Sequence, residues 1–562
     1  MTSVEEILRW ISGNEALLSG IAALAAIVGV VVSPIGAALR RRAGRRRQRQ
    51  AAEPVGEPQA VGAASNDATP AQRVVAVLPF DNLSSDPELQ YFSDGVSEEI
   101  IRRLSRGAQI AVIGRASSFQ FRAERKGEAA RTLGCSHVLD GSVRRAAGRV
   151  RIIAHLVEAA STTTVWSDRY DRDLADVFAV QDDIAENIAA ALDRAFRGVA
   201  TRTTDPEAYD LYLRASPRSF GPEELRAGIG LLEEATKRAP DFADAWGRLA
   251  YLRSWLRYYE PYAARTASTA RVLDAAARAM ATDPRNFDAL VARLFVMPPF
   301  GRFVETEAAL RKAQQAGGEG GQYTGWFLRN LGHVRESLVE DERAYRSDPL
   351  NPMSANLVAL ARMAAGRVEE AIPLFEDIMS RIPDMSFPFA NLLRARALLG
   401  DWQGVDRLLA LTPTRPLREF EDGLHFIRTK RDPTPANLES WRSAFEMRVR
   451  ETGCVDVSRL VYTAHLGLVD AAYAAALSAC LGPRGADDDM MGPDAYRTSL
   501  LFQTGMPELR NDLRFPRLCA RLGLVEYWMS SGRWPDCADA VPYDFRAECV
   551  RVRDVAVESF RF

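Results

Sequence analysis

Five histidines and six cysteines among 562 residues leave little material for metal or redox chemistry. The cysteines, Cys135, Cys454, Cys480, Cys519, Cys537 and Cys549, form no CxxC pair, so neither a zinc site nor a dithiol motif is spelled out. They read as ordinary buried thiols; a disulfide among the last three would require an oxidising compartment. His137 and His155 lack a second nitrogen or sulfur ligand at a metal spacing. HExxH, GxSxG and Walker A motifs are absent too, and the glycine-rich AGGEGG from Ala316 to Gly321 has no Lys-Ser/Thr, so it reads as an inter-helix loop. These absences predict a non-enzyme with no catalytic residue, no metal and no cofactor.

Charge of one sign is also missing. With 72 basic against 74 acidic side chains the net charge is −2, which argues against a protein that coats nucleic acid. The average hides a local run: Arg40, Arg41, Arg42, Arg45, Arg46, Arg47 and Arg49 lie within ten residues, leaving 65 basic against 74 acidic side chains elsewhere. A hydrophobic share of 47% over this length implies several domains with ample core and excludes a disordered or collagen-like chain.

From Ala16 to Leu39 run 24 uncharged, mostly apolar residues. As a helix they would extend roughly 36 Å, more than the hydrocarbon core of roughly 30 Å. The preceding MTSVEEILRWISGNE is acidic where a signal peptide needs a basic flank, so the run reads as a membrane anchor. Arginine resists translocation, which makes the side holding Arg40–Arg49 the cytoplasmic one and lets those side chains meet the headgroups of the bilayer. The expected location is a bacterial inner membrane, single-pass, with the bulk of the chain cytoplasmic; a periplasmic bulk is the alternative. Small residues at Ala25, Gly29, Ser33 and Ala37 allow a homodimer through the span.

Residues 50–72 are rich in Ala, Pro, Gly and Ser and read as a flexible linker. Strand and helix patterns then alternate. VVAVLPF is a strand, LQYFSDGVSEEIIRRLSR a helix with apolar residues every three or four positions, and IAVIG a strand. A short helix around Glu128–Leu133 follows, then three strand-like runs and a helix from Leu174 to Leu192. Val150, Ile152, Ala154 and Leu156 alternate cleanly with Arg151, Ile153, His155 and Val157, and Arg144, Arg145, Arg149 and Arg151 flank a hairpin at Ala146–Gly148 as a charged edge. The pattern is βαβαβββα.

VAVLPFDNLSSDPELQYFSDGVSEEI, RASSFQF, VLDGSVRRAAGRVRI and VWSDRYDRDLADVFAVQDDIA, in this order, resemble the domain similar to the TolB amino-terminal domain that precedes tetratricopeptide repeats in bacterial membrane proteins. In that family the unit often follows a nucleotide cyclase or winged-helix domain. The resemblance implies a binding or sensing module and supplies no catalytic residue. Its signature positions here are Pro79, Phe80, Asn82, Asp94, Gly95, Trp166, Tyr170 and Asp171, with turn, packing and capping as their structural roles.

After Thr204 alanine-rich helical periodicity takes over. Gly332, Gly366 and Gly400 stand 34 residues apart, and Pro349 and Pro383 repeat the interval. In the clearest copy Gly366 opens the turn, Ala371 and Phe375 occupy the second helix and Pro383 closes it; Trp246 and Leu249 follow the closing Pro240 of an earlier unit. This resembles the tetratricopeptide repeat (TPR), whose stacked helix pairs present a concave peptide-binding surface. Met506 to Cys537 resembles the terminal segment of such proteins and would cap the end of the stack.

The expected architecture is multidomain α/β plus all-α: a short segment at 1–15, a transmembrane helix at 16–39, an arginine-rich stop-transfer at 40–49, a linker at 50–72, a TolB amino-terminal-like domain at 73–200, TPR-like repeats at 205–412, and degenerate helical repeats with a cap at 413–562. The expected function is a membrane-anchored scaffold or sensor in bacterial signalling that binds a protein or peptide, and no nucleic acid, through the α/β domain and the TPR groove. The alternative is a subunit or truncated relative of an adenylate cyclase or winged-helix regulator whose effector domain is on another chain, because only 15 residues precede the span.

Overall fold

A computed structural model describes residues 74–107, 110–192, 205–215, 221–260, 264–297, 301–316, 321–382, 386–411, 421–481 and 498–557. The chain divides into two units, Met1–Ala71 and Gln72–Phe562, and every described residue belongs to the second. The expected span, the arginine run, the linker and Pro383 lie outside the described residues. Among the described residues no helix is long and apolar enough to cross a membrane.

The β-branched run Val74–Val77 (β1) is almost wholly buried, as a central strand must be. It lies between β3 (Ala111–Val112) and β4 (His137–Ala146), parallel to both, and the sheet continues antiparallel through β5 (Arg149–Glu158) to β6 (Thr163–Asp173). A two-residue strand, β2 (Asp81–Asn82), pairs with β4 and is an addition to the expected pattern, as is a short helix at Arg115–Ser118. Ala147 and Gly148, both at positive φ (48° and 77°), form the tight turn between β4 and β5. Helices α1 (Gln90–Gly107) and α4 (Val177–Ala191) cover one face, where Phe92, Val96, Ile100, Ile184 and Ile188 join Val150, Ile152, Ala154 and Leu156 in one core. On the opposite face, α2 (Arg115–Ser118) and α3 (Ala129–Leu133) cover β3, β1 and the start of β4, through Ala76, Leu78, Ile113, Phe121, Leu133 and Val138. On the β5–β6 part of that face, Ile153 and Val165 are exposed among the described residues.

The helical part continues as α5 (Pro206–Arg214), α6 (Pro222–Arg238), α7 (Ala243–Leu256), α8 (Arg265–Thr282), α9 (Phe287–Phe295), α10 (Phe303–Ala316), α11 (Gly321–Asn330), α12 (Val334–Ser347), α13 (Pro352–Ala364), α14 (Val368–Arg381), α15 (Ser386–Leu398) and α16 (Trp402–Leu411). Asp205, Asn286 and Asn351 cap α5, α9 and α13 through their side chains. The 34-residue glycines sit in the turns of the pairs α11/α12, α13/α14 and α15/α16, at φ of 81°, 83° and 72°. A left-handed backbone costs an L-residue about 1–2 kcal/mol, so Gly400→Ala, where nothing lies within 4 Å of an added Cβ, should lose that alone. At Gly332 the added Cβ would also lie 2.7 Å from Pro535 and 2.8 Å from Phe502. Urea unfolding should therefore rank Gly332→Ala as the most damaging of the three, with Gly366→Ala close to Gly400→Ala.

Beyond α16 come α17 (Glu421–Arg431), α18 (Pro435–Thr452), α19 (Val457–His465) and α20 (Val469–Ser478). Here the expectation of six ordinary thiols is corrected. Gly453 ends α18 in the left-handed conformation, and the next residues form β7 (Cys454–Val455), parallel to β8 (Cys480–Leu481), with Cys454 and Cys480 paired in register and joined by a disulfide. A bond closing a 26-residue separation adds about 3 kcal/mol by loop-closure entropy. Cys454→Ser should lose that stability in thermal unfolding, and reductant should lower wild type to the same level while leaving the variant unmoved. Cys135, Cys519, Cys537 and Cys549 remain buried thiols, and burial pushes Cys537 and Cys549 up to about 12.

The cap is the second correction. The segment that carries α21 (Phe515–Arg521), α22 (Leu524–Ser531) and α23 (Phe545–Arg551) does not merely close the last helix pair. It returns to the middle of the stack, where the Trp528 indole donates to the Leu331 carbonyl at 3.0 Å and the Asp536 amide donates to the Gly332 carbonyl at 3.0 Å. Its aromatic residues supply the reason: Phe502, Phe515, Trp528 and Phe545 are buried together and join a core that reaches back to Leu290.

Candidate functional site

Among the described residues, the chain itself largely occupies two surfaces inside the helical stack, leaving beside the first an open cavity of about 300 Å³ between Arg145, Asp210, Arg214 and Arg238. The first is where the α/β domain meets the early helices. The α1 sequence SEEIIRRL places Glu98, Glu99, Arg102 and Arg103 between apolar residues, so a helix buried on two sides must pair these charges. Arg115 Nε lies 2.9 Å from Glu98, Arg248 of α7 lies 3.4 Å from Glu98 and 2.8 Å from Asp288 of α9, and Arg102 lies 3.2 Å from Glu98. The Tyr212 hydroxyl accepts from Arg102 at 2.6 Å and donates to Glu99 at 3.0 Å. Burial alone would raise Glu98, but the surrounding Arg115, Arg248 and Arg102 guanidiniums hold it at about 2. Asp288 is likewise held at about 2: Arg248 and Arg102 outweigh its burial. Farther along, the Gly114 amide donates to the Ser347 carbonyl at 2.9 Å and the Ser117 amide to Asp348 at 2.8 Å, fastening α2 to the α12–α13 turn.

The second surface is the inner side of the later pairs. Ten of the 13 residues of α13 are buried, but only four of the 14 in α14, because the first helix of this pair is covered on both sides. Its second cover is the chain's own segment 498–504. Thr498 Oγ1 donates to the Asn330 carbonyl at 2.5 Å, the Ser499 amide to Asn330 Oδ1 at 3.2 Å, and the Thr504 amide to the Ala364 carbonyl at 3.0 Å. Below it lies a polar ladder, in which Asn391 donates to Asn356 at 3.2 Å and Arg394 to Asn391 at 3.0 Å. Arg329 is paired with Asp341, which burial pushes up to about 6 although Arg329 pulls it down. What remains between Arg329, Arg394, Ser499 and Gln503 is a cavity of about 10 Å³, room for one water at most. The expectation of an open peptide groove is therefore corrected along α11–α15.

Among the described residues, those singled out in the sequence take these places in the framework. Phe80 is fully buried and its amide donates to Ser97 at 2.9 Å, just after Pro79, while Asn82 ties the turn to Asp86 at 2.9 Å. Asp94 receives both Arg122 nitrogens at 2.8 and 2.7 Å, and a Cβ on Gly95 would lie 2.6 Å from Leu213, so that glycine lets α1 and α5 approach. Trp166 stands opposite Leu156, Tyr170 accepts from Asn187 at 3.1 Å, and Asp171 bridges Arg149 and Arg151 at 2.8 and 2.6 Å. Ala371 and Phe375 are fully buried, Leu249 nearly so, and the Trp246 indole donates to the Pro240 carbonyl at 2.9 Å. The Glu98–Arg248–Asp288 network was missed; its signal was the charged pairs inside an apolar helix pattern.

One acid–base chain joins α17, α19 and the returning segment: Lys430 to His465 Nε2 at 3.0 Å, and His465 Nδ1 to Glu508 at 3.0 Å. His465 also packs on Phe426, and the cluster works as a tie between three elements.

No protein-family model matches the chain. It is similar to a protein named "Putative adenylate cyclase 3" from Rhizobium meliloti (strain 1021), 42% identical over 167 residues, 28% of this chain and 28% of that protein. The chain thus spans little more than a quarter of that relative's length. Among solved structures, human IFIT1 with PPP-AAAA shares 16% identity over 53% of this chain and 76% of its own, with a TM-score of 0.35. PilW, a type IV pilus biogenesis factor, shares 16% over 37% and 92% with a TM-score of 0.28, and YrrB, a TPR protein with an unusual peptide-binding site, 17% over 32% and 89% with a TM-score of 0.23. These likenesses are too distant to bear on function.

Proposed function

We propose that the chain is a membrane-anchored, non-enzymatic scaffold or sensor that binds a protein or peptide partner through its α/β domain. The observation that carries this reading is the filling of the stack's inner side by the chain itself, beside a sheet whose β5–β6 face, among the described residues, displays Ile153, Val165, Arg151 and Arg169. The four motifs similar to the TolB amino-terminal domain support the same assignment. A photo-reactive residue at Ile153 should capture a defined protein in living cells; the same probe at exposed Leu273 on α8 should not. Equal yields from both positions would refute the sheet as the binding surface.

A second reading is that the partner belongs to a nucleotide-cyclase system, with the effector domain on another chain; the 42% identity to the Rhizobium meliloti protein favours it. Loss of the chain should then change cellular cyclic AMP, and an unchanged level would remove this reading.

For location we adopt the alternative in which the folded unit lies outside the cytoplasm. The Cys454–Cys480 bond supports it, since such bonds persist in oxidising compartments, whereas the arginine run supports the reverse. Thiol trapping in intact cells should find this pair oxidised; two free thiols would place the unit in the cytoplasm.

A further inference from the structure

Strand β6 is the last of the sheet: among the described residues only β5 pairs with it. It is 11 residues long and eight of them are exposed, so a row of backbone donors and acceptors faces solvent. Such an edge is a template for another strand. Its side chains specify which strand fits. Asp168-Arg169-Tyr170-Asp171-Arg172 reverses charge sign about Tyr170. When two copies of this strand run antiparallel with Tyr170 opposite Tyr170, each Asp168 faces an Arg172 and each Arg169 faces an Asp171. All four charged pairs are then opposite in sign. Moving the centre by one residue sets Arg169 against Arg169 or Asp171 against Asp171, and moving it by half a residue sets Asp168 against Asp171 or Arg169 against Arg172. Each of these alternatives puts like charges in contact, so the charges select one register.

We propose that two copies of the chain associate through β6, edge to edge and antiparallel about Tyr170, making one continuous sheet with a two-fold axis perpendicular to it. The axis keeps the α1/α4 side of both copies on the same side of the joined sheet, because residues of equal parity face each other. Asp168 and Arg172 are exposed, Tyr170 keeps its contact with Asn187 and Asp171 keeps Arg149 and Arg151, so within a copy the pairing requires only that Arg172 exchange its bond to the Asp171 carbonyl for Asp168 of the other copy. The face with Ile153 and Val165 then doubles in width, and this proposal stands whether or not a further partner uses that face.

The test uses the full chain in detergent, followed by sedimentation over a concentration series. Wild type should show a reversible monomer–dimer equilibrium. Asp168→Arg sets Arg against Arg172 twice and should weaken it roughly tenfold or more. Asp168→Arg with Arg172→Asp restores opposite charges and should return the midpoint to near wild type. The doubly substituted Ser167→Cys/Asp173→Cys chain should cross-link between copies under mild oxidation, and neither single variant should. Wild type that stays monomeric throughout, a dimer indifferent to Asp168→Arg, or a charge swap that fails to rescue while retaining wild-type unfolding would each overturn the proposal.

Discussion

Glu98→Gln should lower the stability of the folded unit by about 2–3 kcal/mol at neutral pH, and most of that difference should vanish in acid. The carboxylate is largely enclosed and faces Arg115, Arg102 and Arg248. Removing its charge leaves three guanidiniums sharing Glu99 and Asp288, so the cost comes from uncompensated buried charge rather than from one lost contact. The sign with pH follows from the depressed value. Because Glu98 is held at about 2 in the folded chain against an ordinary carboxylate near 4.5, its contribution is complete above 4.5 and is lost as pH falls toward 2. Asp288, held at about 2 for the same reason, adds a loss in the same window. Denaturant midpoints from pH 7 to pH 2.5 should therefore converge for wild type and Glu98→Gln. Parallel curves would mean that Glu98 acts through shape rather than charge. A cycle with Arg248→Met adds a second check, since the double variant should lose less than the two single losses together.

The Trp528→Ala substitution should cost about 3–5 kcal/mol. No larger side chain in the described chain is so fully buried, and its ring packs between Phe502 and Phe545 with centroids at 6.1 and 5.5 Å. Truncation opens a cavity where the returning segment meets the helix stack and also orphans the Leu331 carbonyl. Trp528→Phe keeps most of the volume and should lose only the hydrogen bond, about 1–2 kcal/mol. If the segment were a loose terminal cap, both variants would leave the urea midpoint of the stack unmoved, and only local probes at the C-terminal end would respond.

These expectations show which parts of the architecture were readable along the chain. Local periodicity announced β5 through the alternation of Val150, Ile152, Ala154 and Leu156, and the helix pairs through Gly332, Gly366 and Gly400, because side-chain direction and turn conformation are set within a few residues. Long-range closure leaves no such trace. Cys454 and Cys480 meet across an intervening helix pair, Arg248 finds Glu98 across 150 positions, and Ser117 finds Asp348 across 231. Spacing rules treat those residues as solvated charges, free thiols and turn formers. The same blindness concealed the covering of the inner helices: the 34-residue period identifies helices that stack, but not what lies against their other side.

The α/β domain and the C-terminal segment are built into the helical stack and fill its inner side. Native-state hydrogen exchange on the full chain reads this at four amides: Gly114 on the Ser347 carbonyl, Ser499 on Asn330, Thr504 on the Ala364 carbonyl and Asp536 on the Gly332 carbonyl. All four should exchange as slowly as the backbone amides of α13, opening only with that helix. Rapid exchange at Ser499 and Thr504, with α13 still protected, would contradict it and leave the groove free for a peptide.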